Sequence, residues 1–332
     1  MKVTGVDTKV KTLSLQGREN IHYDHLVLAT GGVPRTIATP GSDLDNILYL
    51  RSPQDANKIV TEARGRKVVI VGNSFIGTEV AAFLADKAES VTLIGRTKYP
   101  LERSLGPEIG KLILKMHEAK GVRFINEANV ISFEGNADQR VSSVMVDTIE
   151  EAIPADLVVV GIGCVPATQF LQDSDLHLDS DGFVEVNQYL ESNVENVYAI
   201  GDIAKFPLDQ HSVAIGHWQI AQSHGRCAGL NVALKSDDHR QVIKTVPFFW
   251  TVQYGKSLRY AGHCPNGWDE IIYEGQPSSG SFCAYYCFED SVEAVATLGR
   301  DPIAADFANL LKSGQRLSKK DAVAGVWHRN SL

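Results

Sequence analysis

The sequence of 332 residues predicts an α/β fold with parallel sheets, followed by a C-terminal α+β region. Three observations predict this class. Residues 66–96 contain a strand, a glycine turn, a helix and a second strand. Three other apolar runs, at 23–32, 155–163 and 196–202, also end in glycine turns. After residue 244, short aromatic and β-branched runs alternate with Gly and Pro, which is typical of an antiparallel sheet.

The N-terminal region is predicted to be mostly strands. Residues 3–21 alternate weakly between apolar and polar side chains, which indicates a small antiparallel meander. The apolar strand that follows ends in a small-residue turn at 29–31, where backbone can lie against a ligand. Ser52 then precedes Pro53 in the pattern of a helix N-terminus, so residues 53–63 are predicted to be helical.

The central pattern is a βαβ unit with a glycine turn. Its turn, GNSFIG, follows a β-branched strand at 67–71 and opens an amphipathic helix. It fits the dinucleotide fingerprint G-x-G-x-x-G at the first and third glycines, Gly72 and Gly77. Ser74 stands at the middle position, where a side chain narrows the space for a pyrophosphate but can also donate a hydrogen bond to it. This context favours nucleotide binding over a βαβ unit without a ligand.

The second strand of this unit ends without a carboxylate. An acidic residue there normally holds the adenine ribose of NAD, whereas a cation suits the 2′-phosphate of NADP. Here the strand is followed by Arg96 and Lys98. Hydrogen bonds to charged groups contribute about 1.5–3 kcal/mol, roughly a tenfold preference. We expect NADPH or dual use; the alternative is that both residues are solvated loop charges.

The rest of the chain supplies one more candidate site residue. The strand at 196–202 ends in Gly201 and Asp202. In one interpretation the Asp202 carboxylate binds a ribose or ribityl hydroxyl, and in the other it caps the next helix. The spacing does not distinguish between these two interpretations. The other predicted elements are a helix at 107–119, strands at 122–125, 130–134 and 141–146, a helix at 212–234, a polar linker at 235–240 and a helix at 303–311.

Composition excludes several classes of protein. The net charge of −8 argues against a nucleic-acid binder, which needs a basic face. The five cysteines contain no CxxC pair, and Cys283 and Cys287 are predicted to be core thiols on one strand face. No apolar stretch has the length of a transmembrane span and no targeting pattern is found, so we expect a cytoplasmic protein.

Six segments together carry a family resemblance: YDHLVLATG at 23–31, VIVGNSFIGTE at 69–79, VVGIGCVP at 159–166, YAIGD at 198–202, HWQIA at 217–221 and VPFFWT at 246–251. On these, the chain resembles the ferredoxin-reductase-like branch of the FAD-dependent pyridine nucleotide disulfide oxidoreductase superfamily, most closely its apoptosis-inducing factor 3 type. The resemblance implies two doubly wound FAD/NAD(P)-binding Rossmann-like domains, the first incomplete, plus a C-terminal α+β interface domain. The implied boundaries are 1–64 with 182–243 for FAD, 65–181 for NAD(P), and 244–332 for the interface domain.

The resemblance also implies the cofactor contacts. Those to FAD are Ala29, Thr30, Gly31, Arg51, Gly201, Asp202, Trp218, Ala221 and Trp250. Those to NAD(P)H are Gly72, Phe75, Ile76, Gly77, Glu79, Arg103 and Gly163, to which the residue arguments above add Ser74 and Arg96. No catalytic side chain and no metal are expected, because hydride passes from NAD(P)H to the flavin, which performs the chemistry.

Two departures from the family leave two functions open. Family members carry an FAD-binding βαβ unit well before the Ala-Thr-Gly turn, and the apoptosis-inducing factor 3 type adds a Rieske module; this sequence begins 28 residues before Ala29 and contains neither. One hypothesis is an FAD-dependent oxidoreductase that passes electrons from NAD(P)H to a Rieske or ferredoxin-type iron–sulfur acceptor. The alternative is a truncated, non-catalytic binding or regulatory protein in cell death. Homo-oligomer formation and mitochondrial association are compatible with either.

Overall fold

The computed structural model describes residues 2–234, 239–325 and 327. Its first elements are β1 (Val3–Asp7), β2 (Thr12–Leu15), β3 (Ile21–His22), β4 (Leu26–Leu28), β5 (Gly32–Pro34), β6 (Ile47–Tyr49) and α1 (Pro53–Ala63). Strands β1–β3 form the antiparallel meander that the alternation predicts. Helix α1 begins as predicted, with a reciprocal capping box: Asp55 N–H donates to Ser52 Oγ at 3.2 Å and Ser52 N–H donates to the Asp55 carboxylate at 2.8 Å.

The middle of the chain forms a parallel sheet with helices. Its elements are β7 (Lys67–Val71), α2 (Phe75–Leu84), β8 (Ser90–Ile94), α3 (Glu102–Leu105), α4 (Pro107–Glu118), β9 (Arg123–Ile125), β10 (Val130–Gly135), β11 (Val141–Val146), β12 (Ile149–Pro154) and β13 (Leu157–Val160). The parallel order is β6-β13-β7-β8-β9, and β10–β12 form a separate antiparallel sheet. The βαβ unit of the sequence is therefore the centre of this sheet.

The edge of the parallel sheet comes from an earlier part of the chain than expected. Strand β6 pairs with β13, and Ile59 and Ala63 of α1 pack with Val68 and Ile70 of β7 in one core. The boundary between residues 64 and 65 stays a prediction. This pairing favours a start of the NAD(P) unit before β6 instead.

The next elements surround the second predicted ligand site. They are β14 (Cys164–Pro166), β15 (Val184–Glu185), β16 (Val197–Ala199), β17 (Ala204–Leu208), β18 (His211–Val213) and α5 (Trp218–Ala233). Strand β16 is parallel to β4, and β14 is antiparallel to β5. The helix predicted from residue 212 begins only at Trp218, because residues 211–213 pair with β17 in a hairpin. Part of the predicted linker, residues 235–238, lies outside the described residues.

The C-terminal region is the predicted antiparallel sheet with helices. It contains β19 (Phe248–Gln253), β20 (Lys256–Gly262), β21 (Glu270–Gln276), β22 (Ser281–Phe288), β23 (Ser291–Leu298), α6 (Ile303–Lys312), β24 (Leu317–Ser318) and α7 (Lys319–Ala324). One sheet face packs Tyr286 against Leu105 near α4, and the other packs Tyr285 against Phe307 of α6. All five cysteines are free, and Cys283 and Cys287 are fully buried, as predicted for core thiols.

Two features are absent from the described residues. None of their helices combines the length and apolar character needed to cross a membrane. No group of three or more His, Cys, Asp or Glu among them is arranged to hold a metal ion.

Candidate functional site

The fingerprint turn after β7 is locked against the turn after β13. Gly72 has a φ of +115°, and a β-carbon on it would lie 2.3 Å from the carbonyl oxygen of Gly161. A β-carbon on Gly77 would lie 1.8 Å from the carbonyl oxygen of Gly72. Since no side chain fits at either position, the helix lies as close to the strand as the fingerprint requires.

Helix α2 presents an uncapped N-terminus at this turn. Ser74 is the N-cap residue, yet its side chain makes no capping hydrogen bond, and it is exposed. The first N–H groups of a helix lack partners within the helix, and they attract phosphate. The hydroxyl and the helix N-terminus are thus both available to a ligand.

A cleft of about 550 Å³, here called the nucleotide cleft, opens beside this turn. It contains Gly72, Ser74, Arg96, Arg103 and Gly163 of the predicted nucleotide residues. Both arginines are exposed. A helix N-terminus with cationic side chains suits an anionic ligand, so the cleft has the chemistry of a phosphate-binding site.

A second cleft, of about 1090 Å³, lies along α2 from its N-terminus and is here called the flavin cleft. Its walls contain Gly32, Ser74, Phe75, Ile76, Glu79, Gly163, Cys164, Asp202, His217, Trp218 and Trp250, among others. The two clefts share Ser74, Gly161 and Gly163. A ligand in one can therefore meet a ligand in the other at the N-terminus of α2.

The turn after β4 forms one hydrogen-bonded cluster at the edge of the flavin cleft. Thr30 Oγ1 donates to the carbonyl oxygen of Ala167 at 2.8 Å, and Arg51 Nε donates to that of Gly32 at 2.7 Å. Arg51 also lies 3.8 Å from an Asp202 carboxylate oxygen. Gly31 has a φ of +69°. The cluster thus holds Gly32 and Asp202 in the cleft wall.

The Gly201 turn rests on a histidine that sequence reasoning did not single out. Gly201 N–H donates to His224 Nδ1 at 3.2 Å, and Ala221 packs against the same glycine. His224 is fully buried, and this burial lowers its pKa to about 4, so the ring is neutral at physiological pH. Six of the predicted flavin residues do not line this cleft: Ala29, Thr30, Gly31, Arg51, Gly201 and Ala221.

Aromatic rings form the open side of the flavin cleft. Trp218 and Trp250 pack edge to face with ring centroids 5.9 Å apart, yet they are 53% and 41% exposed. Nearby, the His217 Nδ1 atom is buried and has no hydrogen-bond partner among the described residues. Exposed indole surface and an unpaired buried nitrogen are both satisfied by a flat, polar-edged ligand.

A buried polar chain connects the C-terminal sheet to α2. Thr251 Oγ1 donates to Glu79 Oε1 at 2.6 Å, and Gln253 Nε2 donates to the hydroxyls of Thr251 and Thr78 at 3.2 and 3.0 Å. Gln253 Oε1 lies 2.8 Å from His117 Nε2. Burial lowers the pKa of His117 to about 4, against a smaller opposing effect of Gln253. The neutral ring with its proton on Nε2 satisfies this bond.

Sequence reasoning singled out Glu79 of this polar chain but missed Thr78, His117, Thr251 and Gln253, and also Asn73 and His217. A signal existed for one pair: Thr251 and Gln253 alternate along an aromatic strand, which places two polar side chains on one face. The partners of that face are distant in sequence, so periodicity alone does not identify them.

This fold and these two clefts define an FAD- and NAD(P)H-dependent oxidoreductase family. The chain matches the pyridine nucleotide-disulphide oxidoreductase family over residues 1–225 and the reductase C-terminal family over 248–325. It belongs to the pyridine nucleotide-disulphide oxidoreductase family. The resemblance, the fold class and the family's cofactors, FAD and NAD(P)H, are thereby confirmed as predicted.

Individual relatives support this assignment. Apoptosis-inducing factor 3 of Homo sapiens is 38% identical over 330 residues, which cover 98% of this chain and 53% of that protein. Rhodocoxin reductase of Rhodococcus erythropolis is 32% identical and covers 86% of this chain and 65% of that protein. The chain thus spans about half the length of the apoptosis-inducing factor 3 relatives that it matches.

Solved structures show the same fold. The covalent putidaredoxin reductase–putidaredoxin complex matches with a TM-score of 0.87 and 28% identity, covering 94% of this chain and 75% of that one. The ferredoxin reductase for the CYP199A2 system of Rhodopseudomonas palustris matches with a TM-score of 0.87 and 24% identity, over 96% and 77% of the two chains. The second likeness concerns the fold alone.

Proposed function

We propose that the chain is the nicotinamide- and flavin-binding part of an oxidoreductase that passes electrons from NAD(P)H through FAD to a one-electron acceptor. The observation that carries this proposal is the junction of the two clefts at Ser74 and Gly163. A nicotinamide held from the fingerprint side and a flavin held from the Trp218 side would meet there. The proposed units are 1–64 with 182–243 for FAD, 65–181 for NAD(P) and 244–332 for the interface, with β6 and α1 of the first range packed on the NAD(P) sheet.

The residues present fit a flavin. Gly32 brings backbone without a side chain into the cleft wall, Asp202 supplies a carboxylate for a sugar-type hydroxyl, and the two tryptophans supply ring surface. Bound FAD supplies the acceptance of hydride and the release of single electrons. In this proposal Phe75 and Glu79 orient the nicotinamide, and Trp218 with Trp250 excludes water.

We further propose that the electron acceptor is an iron–sulfur protein of the Rieske or ferredoxin type. A solved relative is a reductase in covalent complex with putidaredoxin, and several relatives are named as reductases of such partners. We propose that the protein is cytoplasmic; mitochondrial association is compatible with either candidate function.

The second candidate function is a non-catalytic binding or regulatory protein in cell death. One observation favours it: among the described residues, the sheet of β4 and β16 has two strands, and Ala29 and Thr30 at its end are exposed. A sheet of two strands offers fewer hydrogen-bond donors to a large cofactor such as FAD than a larger sheet does. The connection to cell death rests on the names of the apoptosis-inducing factor 3 relatives.

An anaerobic titration separates the two candidates. The purified chain is reconstituted with FAD and titrated with NADH and NADPH in parallel, while flavin absorbance at about 450 nm is followed. Bleaching supports the oxidoreductase. A folded chain that retains no flavin supports the binding protein.

A pair of variants connects that result to the site. Asp202→Ala is expected to lower flavin retention about tenfold, because a charge-assisted hydrogen bond is lost. Asp138→Ala is the matched control, since Asp138 is exposed in the turn between β10 and β11. Equal retention in both variants would remove Asp202 from the proposed site.

A further inference from the structure

The loop after β8 has no room for an acidic residue at its first position. A β-carbon on Gly95 would lie 2.1 Å from the Asn73 carboxamide carbon. That carboxamide is fixed, because its Nδ2 atom donates to Thr97 Oγ1 at 2.9 Å. Gly95 is fixed as well, since its N–H donates to the carbonyl oxygen of Ile125 at 3.0 Å. Asn73 thus occupies the space that a side chain at position 95 would need.

The charges around the nucleotide cleft are mostly positive. Arg35, Arg96 and Arg103 line it and are exposed. The one carboxylate among the described lining residues is Glu102, whose Oε2 accepts the Tyr99 N–H at 3.0 Å. Neither Arg96 nor Arg103 has a hydrogen bond or ion pair with any described residue. Two guanidinium groups are therefore available to a ligand at the end of β8.

We infer that the nucleotide cleft selects NADP(H) over NAD(H), and that Arg96 is the residue which pairs with the 2′-phosphate. The inference rests on the proposed function and specifies its electron donor. A guanidinium has no acceptor for the ribose hydroxyls of NAD, whereas it pairs with a phosphate through charge-assisted hydrogen bonds. Two features therefore favour NADP(H): a carboxylate does not fit at position 95, and the guanidinium of Arg96 is unpaired among the described residues.

Binding of nucleotide fragments tests the inference without any flavin. Isothermal titration calorimetry of the full chain compares 5′-AMP with adenosine 2′,5′-bisphosphate, which differ only by the 2′-phosphate. The bisphosphate is expected to bind about tenfold more tightly or better. Adenosine 3′,5′-bisphosphate carries the same charge at another position, and it is expected to bind no better than 5′-AMP.

Two charge-reversal variants locate the effect. Arg96→Glu is expected to abolish the preference for the 2′,5′-bisphosphate. Lys98→Glu makes the same change in charge, but Lys98 does not line the cleft, and its Nζ lies 5.6 Å from the Tyr99 ring centroid. This control is expected to keep most of the preference. Circular dichroism of both variants confirms that they fold.

The results that would contradict the inference can be distinguished from those that would also contradict the proposed function. Equal affinity for 5′-AMP and the 2′,5′-bisphosphate overturns the inference and leaves the proposed function standing. If Arg96→Glu and Lys98→Glu lose the preference for the 2′,5′-bisphosphate equally, the role of Arg96 is overturned, because the preference would then depend on the overall positive charge of the region. Failure of the unmodified chain to bind any of the three nucleotides overturns the inference and the proposed function together.

Discussion

The walls of the two clefts are built differently, although both meet at the N-terminus of α2. On the nucleotide side the backbone is interlocked: Gly72 and Gly77 leave no room for a β-carbon, and Asn73 fills the space above Gly95. On the flavin side Ala29 and Thr30 are exposed, and Trp218 leaves half of its surface open. The backbone of the nucleotide site is fixed without its ligand, while the flavin side presents aromatic surfaces that a ligand would cover.

This difference has an energetic meaning. A preorganised site loses little conformational freedom on binding, whereas an open site must order its groups when the ligand arrives. We therefore expect the nucleotide cleft to be part of the stable core and the flavin cleft to gain stability from FAD. Each experiment below would contradict or refine that contrast.

The largest effect is expected from a substitution that forces α2 away from the turn after β7. Gly77→Ala places a β-carbon 1.8 Å from the Gly72 carbonyl oxygen, so strand and helix must separate. We expect a loss of about 4 kcal/mol or more in the free energy of unfolding, measured by urea titration.

Gly163→Ala is the matched control for this experiment, at a glycine that both clefts share. Gly163 has a φ of +99°, but a β-carbon added to it would meet no other atom within 4 Å. Only the left-handed backbone conformation is penalised, at about 1–2 kcal/mol. Equal losses in the two variants would show that the nucleotide turn is no more interlocked than its surroundings.

The next effect is a pH dependence that comes from two buried histidines. His224 supports the Gly201 turn on the flavin side, and His117 of α4 contacts Gln253 and Tyr254 of the C-terminal sheet. Burial lowers the pKa of both His117 and His224 from 6.5 to about 4. The unfolded chain binds these protons below pH 6.5 and the folded chain does not, so stability is complete above pH 6.5 and falls as the pH drops toward 4. Each histidine contributes about 3 kcal/mol of this loss.

Single variants separate the two contributions. His117→Gln and His224→Gln each remove one titrating group, and each is expected to remove its own share of the pH dependence between pH 6.5 and 4. The remaining pH dependence comes from groups such as His217 and His263, whose pKa values are also lowered by burial. If His224→Gln leaves the pH dependence unchanged while His117→Gln reduces it, the flavin side admits water and the contrast between the clefts becomes sharper. No change in either variant would contradict the burial of both rings.

Sequence reasoning predicted the nucleotide side more completely than the flavin side. The signal for the βαβ unit is local: strand, turn and helix are contiguous, and the glycines at 72 and 77 follow from the turn itself. The flavin side combines the turn at 29–31, Asp202 and the tryptophans, which meet only in three dimensions. Only a family resemblance, not periodicity, brought those residues together.

The errors have physical reasons as well. The helix expected from residue 212 starts at Trp218, because the hairpin of β17 and β18 takes the preceding residues into a sheet. The pairing of β6 with β13 was not foreseen, since a strand of three residues carries too little pattern to show its partner; the domain boundary at 64/65 stays a prediction. Strand pairing decided both cases, through a local hairpin at β18 and through a partner distant in sequence at β6.

The smallest effect concerns the polar chain that joins the C-terminal sheet to Thr78 and Glu79 of α2. Thr251→Val removes the donor to Glu79 and one acceptor of Gln253, and leaves both of those polar groups without that partner. We expect a loss of about 1–2 kcal/mol in the free energy of unfolding. We also expect slower flavin reduction by NADPH, because Glu79 loses its fixed position in the flavin cleft.

Thr297→Val provides the matched control on β23 of the same sheet. Thr297 is 1% exposed, and its Oγ1 atom has no hydrogen-bond partner among the described residues. Replacing an unpaired buried hydroxyl with a methyl group of similar shape is neutral or stabilising, and the rate of flavin reduction should not change. Equal destabilisation by the two variants would mean that the hydrogen bonds linking His117, Gln253, Thr251 and Glu79 contribute no stability beyond side-chain packing. A loss of rate confined to Thr251→Val would show that the C-terminal sheet helps to order the open cleft.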